Sequence, residues 1–249
     1  MKSFGVSARL FCTSSCLAIL MLAGLTTAYP QDTASARPKA TEPQTYRVGL
    51  KSIAIPSPSK DLGEIGSDYR VLLETMAPAT NRLVAAFIRP EDLNQILKGG
   101  DTPLLRYALV EIPRPAEFVD VDSATFKTVA DGMAKEFGAN IGADIKTALD
   151  DLNHNLKELN SNSATIVIGK PLPLGVLFSK PDAAAFALVE SVSAKGPETK
   201  MAAAIVVLRA QNRILFLYLY SVYKDESTVQ WLRKTSEDWA DAILKANEQ

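Results

Sequence analysis

The one imidazole available for chemistry in this chain is His154. Carboxylates stand at helical spacing around it, with Asp150 and Glu158 four residues away and Asp151 three. That spacing suits a weak divalent-metal site, and equally the ordinary contacts of a wet helix face. Leu152 and Leu156 share the inward stripe of the same pattern, so His154 points outward. An outward imidazole is not the cleft-held base of a serine hydrolase, and no GxSxG elbow accompanies it. The solvated-face reading is the simpler one. Asp120 and Asp122 hint at calcium, but the later Gly and Glu of an EF-hand loop are missing, and helix capping explains Asp122 better. Neither HExxH nor a glycine-rich phosphate loop occurs.

Three further groupings remain. Tyr218, Tyr220, Tyr223 and Trp231 form an aromatic cluster that could line a groove, or could pack as a strand against a helix. Their elements carry strong burial patterns, which favours packing. Arg82, Arg106, Arg209 and Arg213 stand near strand ends, either converging on an anion or serving as separate hairpin-end charges. Carboxylates distant in sequence could meet as a glycosidase pair, yet aromatics are only 7%, so sugar platforms gain no support. No catalytic, cofactor-binding or metal-ligating residue is assigned from the sequence, and no cofactor is expected.

The N-terminus reads as an export signal. Lys2 and Arg9 make a positive start, Leu17–Leu25 a short apolar core, and Thr26-Thr27-Ala28 a small-residue cleavage site after Ala28. The core is about nine residues, short of the roughly 20 that span a bilayer. Adding Phe11–Cys16 lengthens it enough for an uncleaved anchor to stand as an alternative. Cys12 and Cys16 precede the apolar core, the wrong side for a lipoprotein. Both leave with residues 1–28, so the mature chain is cysteine-free, without disulfides or thiol chemistry. Two basic residues leave as well, moving the formal charge from −1 to −3. That charge provides no pull toward nucleic acid. Export places the protein in the periplasm or secretes it.

Residues 29–45 are Pro, Ala, Thr and charge, a flexible linker. One globular domain is expected over 46–249. Alternation over Tyr46–Ile55 predicts a strand, Arg82–Ile88 a second, and Leu105–Ile112 a third. A short strand or helical turn is possible at Tyr69–Glu74. Pro90-Glu91-Asp92 opens a short helix through Leu97. Phe126, Val129, Ala130, Met133 and Phe137 form one helix face, capped by Asp122 or Ser123. A second helix carries the stripe Ile141 to Leu159. Thr165–Ile168 is a short strand. Leu174–Ser179 and Ala184–Val192 pair across Lys180-Pro181-Asp182. Met201–Leu208 and Ile214–Tyr223 pair across Gln211-Asn212. The run Ile214–Tyr220 is apolar on both faces, as in a central strand covered on both sides. A membrane helix over 201–223 would bury Arg209 and Arg213 at about 2.5–3.5 kcal/mol each, so the hairpin prevails. The last helix starts at a capping box, Ser227 to Gln230, with Leu232, Thr235, Ser236, Trp239, Ile243 and Ala246 inward and Trp231 sealing the edge.

The expected class is α+β: a mostly antiparallel sheet of hairpins, helices on its faces, and a C-terminal amphipathic helix. The stretches Gly175-Val176-Leu177-Phe178, Arg213–Ser221, Trp231–Thr235 and Trp239 resemble exported bacterial proteins of unassigned function with a PsbP/Mog1-like α/β/α sandwich. The resemblance covers residues 165–247 and consists of core positions. It implies an accessory or binding protein rather than an enzyme, and carries no functional residue over. The expected function is therefore an exported noncatalytic domain that binds a protein or small-molecule ligand, without a membrane span once the signal is cut. The alternatives are a hydrolase using carboxylates converged by the fold, and a membrane-tethered domain with an uncleaved anchor.

Overall fold

Alternation of apolar residues and well-placed turns divide the chain into strands and helices. The computed structural model describes residues 43–66, 73–74, 78–97, 104–138, 166–168, 171–194 and 198–248. The expected signal, most of the expected linker and the predicted second helix with His154, Asp150, Asp151 and Glu158 lie outside the described residues. The described strands are β1 (Gln44–Val48), β2 (Lys51–Ile55), β3 (Gly63–Glu64), β4 (Asn81–Ile88), β5 (Arg106–Pro113), β6 (Ile166–Ile168), β7 (Leu172–Lys180), β8 (Ala183–Ala194), β9 (Thr199–Ala210) and β10 (Arg213–Val222). The described helices are α1 (Pro90–Leu97), α2 (Ser123–Gly138) and α3 (Glu226–Ala246), with a 3-10 turn at Arg114–Ala116.

The main sheet runs β3-β4-β5-β10-β9-β8, with β6 and β7 both on the outer side of β8. Its neighbours are antiparallel throughout. The hairpin of β9 and β10 is its centre. Gln211 and Asn212 turn it at φ 48° and 61°, the left-handed pair that matches the twist of the flanking strands. Both strands are buried on both faces, so each face needs its own cover.

One cover is α2, with α1 near the β4 edge. Phe126, Met133 and Phe137 meet Phe186, Phe216 and Tyr218 there. Asp122 caps α2 by accepting the Thr125 N–H at 2.7 Å. The opposite cover is α3 with the small β1–β2 sheet. Leu232, Trp239, Ala240 and Ile243 face alternate residues of β8, β9 and β10, most of them alanine on the first two strands. Those small side chains let the helix lie close to the sheet. Trp239 is the largest element of this layer. Its indole N–H donates to Pro56 O at 2.7 Å, and its ring meets Phe87 edge-on at 5.8 Å. The Asn247 amide closes the helix onto β2, donating to Ala54 O at 2.8 Å and accepting from Ala54 N at 2.9 Å. The α+β class is thus realised as three layers, helix, sheet and helix.

Three local expectations change. The run Tyr46–Ile55 is not one strand but a hairpin, because Gly49 takes φ +57° and reverses the chain. Leu50, one of the apolar residues of that run, stands at the turn and is 73% exposed. The last helix is capped two residues earlier than the predicted box. Asp225 accepts from Ser227 N at 2.9 Å, and Gln230 turns to Glu226 instead. An aspartate caps more directly than the serine after it, since its carboxylate also meets the positive helix end. Ala246 is exposed, because the final turn has passed the edge of the sheet. Of the short strand or helical turn expected at Tyr69–Glu74, Leu73 and Glu74 are helical, and residues 69–72 lie outside the described residues.

Trp239→Ala removes both the packing and a buried hydrogen bond. It should cost about 3–5 kcal/mol in urea unfolding at constant slope. A loss under 1 kcal/mol would show that α3 does not bind through this residue.

Candidate functional site

The aromatic cluster is divided by the sheet. Tyr218 and Tyr220 are fully buried on the α2 face, with Tyr220 stacked on Tyr107 at 4.5 Å. Tyr223 and Trp231 are half-buried on the α3 face. Strand alternation explains the split, since 218 and 220 share a parity that 223 does not. Trp231 is covered by Arg106, whose guanidinium carbon lies 4.3 Å from the ring centre.

The four arginines do not converge. Arg106 sits at the end of the sheet where β5 begins, near Asp61 at 3.5 Å. The other three share the opposite end, each with its own carboxylate. Arg213 donates to Asp120 at 2.6 Å. Arg209 donates to Asp182 at 2.8 Å, to Asn212 at 2.9 Å and to Ser123 at 3.0 Å. Arg82 donates to both Glu117 oxygens, at 2.7 and 3.2 Å, and to Arg47 O at 2.9 Å. Neutralised in this way, they stitch turns together and leave no common anion site. Asp120 accepts from Arg213, and Asp122 caps α2. Among the described residues no cluster of three metal-ligating side chains occurs.

Two surfaces stand out that sequence patterning did not mark. The first is the tip of the β1–β2 hairpin. Glu117 accepts from Gly49 N at 3.4 Å as well as from Arg82. Burial pushes the Glu117 carboxyl up, but the Arg82 hydrogen bond and charge hold it below the usual carboxylate range. This clamp presses the tip against the turn after β5. A Cβ on Gly49 would lie 2.4 Å from Glu117 O and 3.3 Å from the Phe118 ring. Leu50 and Phe118 therefore present exposed side chains at one corner, at 73% and 67% exposure. Arg47, exposed beside them, has no ion-pair partner among the described residues.

The second surface lies at the other end of the sheet, on the α3 side. A half-open cleft of about 260 Å³ is bounded by Leu172 and Leu174 of β7, Val189, Glu190 and Ser191 of β8, Lys200 of β9, and Tyr223. The register forms two ranks across it. Leu172 pairs with Val189, and Ser191 with Lys200. Tyr223 N donates to Lys200 O at 2.8 Å, which joins the tyrosine to the polar rank. Alternation places Val189 and Ser191 on the cleft side and the Glu190 side chain on the α2 side with Leu188. Glu190 is 1% exposed, and its Oε2 has no hydrogen-bond partner among the described residues. Burial pushes its carboxyl up to about 8.

No family model matches the sequence, and no curated protein matches it. Among solved structures the chain is similar to the Ran-binding protein Mog1p of Saccharomyces cerevisiae, at 10% identity and a TM-score of 0.29. That alignment covers 82% of this chain and 94% of that one. A point mutant of protein Mog1 aligns over the same shares with the same identity and score. A likeness at that score carries nothing over about partner or activity.

Two variants probe these sites. Glu190 ionises near 4.5 when unfolded and holds its proton to about 8 when folded. Its stabilising contribution is complete below the first value and is lost as pH rises through the second, by about 1.4 kcal/mol per pH unit between them. Glu190→Gln should flatten that decline, and urea unfolding from pH 5 to 9 reads it. Parallel curves for both proteins would mean that the carboxyl ionises freely inside the fold. Gly49→Ala should destabilise by at least about 1 kcal/mol, because the left-handed turn and the Glu117 carbonyl both oppose a side chain.

Proposed function

We propose that this chain is an exported accessory domain that performs no chemistry itself and acts by binding a partner protein. The observation that carries the reading is the corner formed by Leu50 and Phe118. Two large apolar side chains stand in water at one place, and a clamp of Glu117, Arg82 and the Gly49 backbone fixes them there. Exposed single apolar residues are ordinary, but a rigid pair beside an arginine with no ion-pair partner among the described residues has the make-up of a recognition spot. Its complement is an apolar recess with a carboxylate placed to meet Arg47. Preorganisation matters here, because a tip already held in place loses little freedom on binding.

The charged side chains fit this reading. Arg82, Arg209 and Arg213 are engaged in joining turns, and Lys180 ties β7 to α3 through Asp241 at 2.8 Å and Glu237 at 3.0 Å. A hydrolase of the paired-carboxylate kind, as in glycosidases, needs two carboxylates facing one cleft about 5–10 Å apart. Among the described residues lining the cleft, Glu190 is the one acid, and its side chain turns to the other face. Export rests on the N-terminal pattern. Among the described residues no helix is long and apolar enough to cross a membrane, and residues 201–222 form paired strands.

Phe118→Asp and Leu50→Asp should leave the unfolding midpoint nearly unchanged, since both side chains are exposed. Each should abolish crosslinking to a partner in the exported fraction, while Leu172→Asp at the far end retains it. Identical crosslinks in all three proteins would sink the reading. Intact mass of the exported protein should lack residues 1–28, and a mass retaining them would establish the anchored form.

A further inference from the structure

The cleft at the far end of the sheet has a chemistry of its own. Its floor is ordered in two ranks, apolar across Leu172 and Val189 and polar across Ser191, Lys200 and Tyr223. One two-residue step along the strands, on the order of 7 Å, separates them. Leu174 bulges from β7 because Pro173 pairs with Leu188 and Gly175 already with Ala187. The extra residue widens the apolar wall. Leu172 stays 64% exposed and Leu174 43%, although they border a concave surface.

Lys200 sets the sign of the site. It is exposed, and among the described residues it has no ion-pair partner. Of the acids near it, Glu190 turns its side chain to the other face and keeps its proton at neutral pH, and Glu198, exposed two residues before the lysine, makes no ion pair with it. Ser191 stands directly opposite Lys200, where cross-strand Cβ atoms lie about 5 Å apart. A hydroxyl and an ammonium so placed can share one carboxylate, and Tyr223 borders the same end of the cleft. An apolar chain attached to that carboxylate then lies over Val189 and between the two leucines.

We propose that this cleft is a binding site for an aliphatic carboxylate, its head group on Lys200 and Ser191 and its chain against Leu172, Leu174 and Val189. The site is independent of the Leu50–Phe118 corner, which lies at the opposite end of the sheet. Its volume, about 260 Å³, suits a short or medium chain rather than a large cofactor. Charge selects the head group and the leucines hold the chain, so both are needed for affinity.

Calorimetric titration of the purified protein with octanoate, octylamine and octanol tests this. Octanoate should bind about tenfold tighter than either other probe, the usual worth of a charge-assisted hydrogen bond. Lys200→Gln should remove that preference while leaving octanol binding unchanged, and Lys200→Arg should keep it. Leu174→Asp should weaken octanoate and octanol alike. Octylamine binding as tightly as octanoate, an unaltered octanoate affinity in Lys200→Gln, or no heat from any probe at millimolar concentration would each overturn the site. None of these outcomes bears on the corner at the other end.

Discussion

The structure depends on the demand of β9 and β10 to be dry on both faces. From Met201 to Leu208 and from Ile214 to Tyr220 every side chain is buried. A strand pair of this kind cannot sit at an edge or face water on one side. It must take the centre of the sheet, with a flanking strand and a cover for each face. The other elements answer that demand. α2 covers one side, α3 and the β1–β2 hairpin cover the other, and β5 and β8 complete the hydrogen-bond ladders. The two faces are covered differently. Aromatics interlock under α2, whereas alanines of β8 and β9 admit α3 to close contact, with Trp239 filling the remaining depth.

That sealed centre decides where binding can happen. With both faces occupied, free surface chemistry moves to the two ends of the sheet and to its β7 edge. At one end, arginines and acids are consumed in joining turns, and what remains outward is a rigid apolar corner. At the other end, α3 has not yet covered the sheet, so a strip of its face stays open as the cleft. The same geometry strands Glu190. Its position near the end of β8 still lies within the dry layer, and the proton it retains is the consequence of having no cation or donor among the described residues there.

Some of this was legible beforehand, for identifiable reasons. The hairpin turns at Pro181-Asp182 and Gln211-Asn212 are written in residue types that dictate local backbone geometry. So is the Asp122 cap, and so is the period of Phe126, Met133 and Phe137. The errors have local causes too. A single glycine within an alternating run is compatible with a strand or with a reversal, and only the contact with Glu117 and Phe118 selects the reversal. Ser227 and Asp225 both suit a cap, and the choice depends on where the preceding chain leaves β10. The tyrosines looked like one cluster because sequence proximity hides which side of a sheet each residue takes.

By itself the sequence determined the class of fold, the central hairpin and the amphipathic closing helix, because side-chain period and turn chemistry act over a few residues. The tertiary structure alone decided which surfaces are left open. Leu50 and Phe118 are 68 positions apart, and Leu172, Lys200 and Tyr223 lie on three separate segments. Their meeting follows from strand order and register. Those are set by long-range packing, which no local pattern encodes.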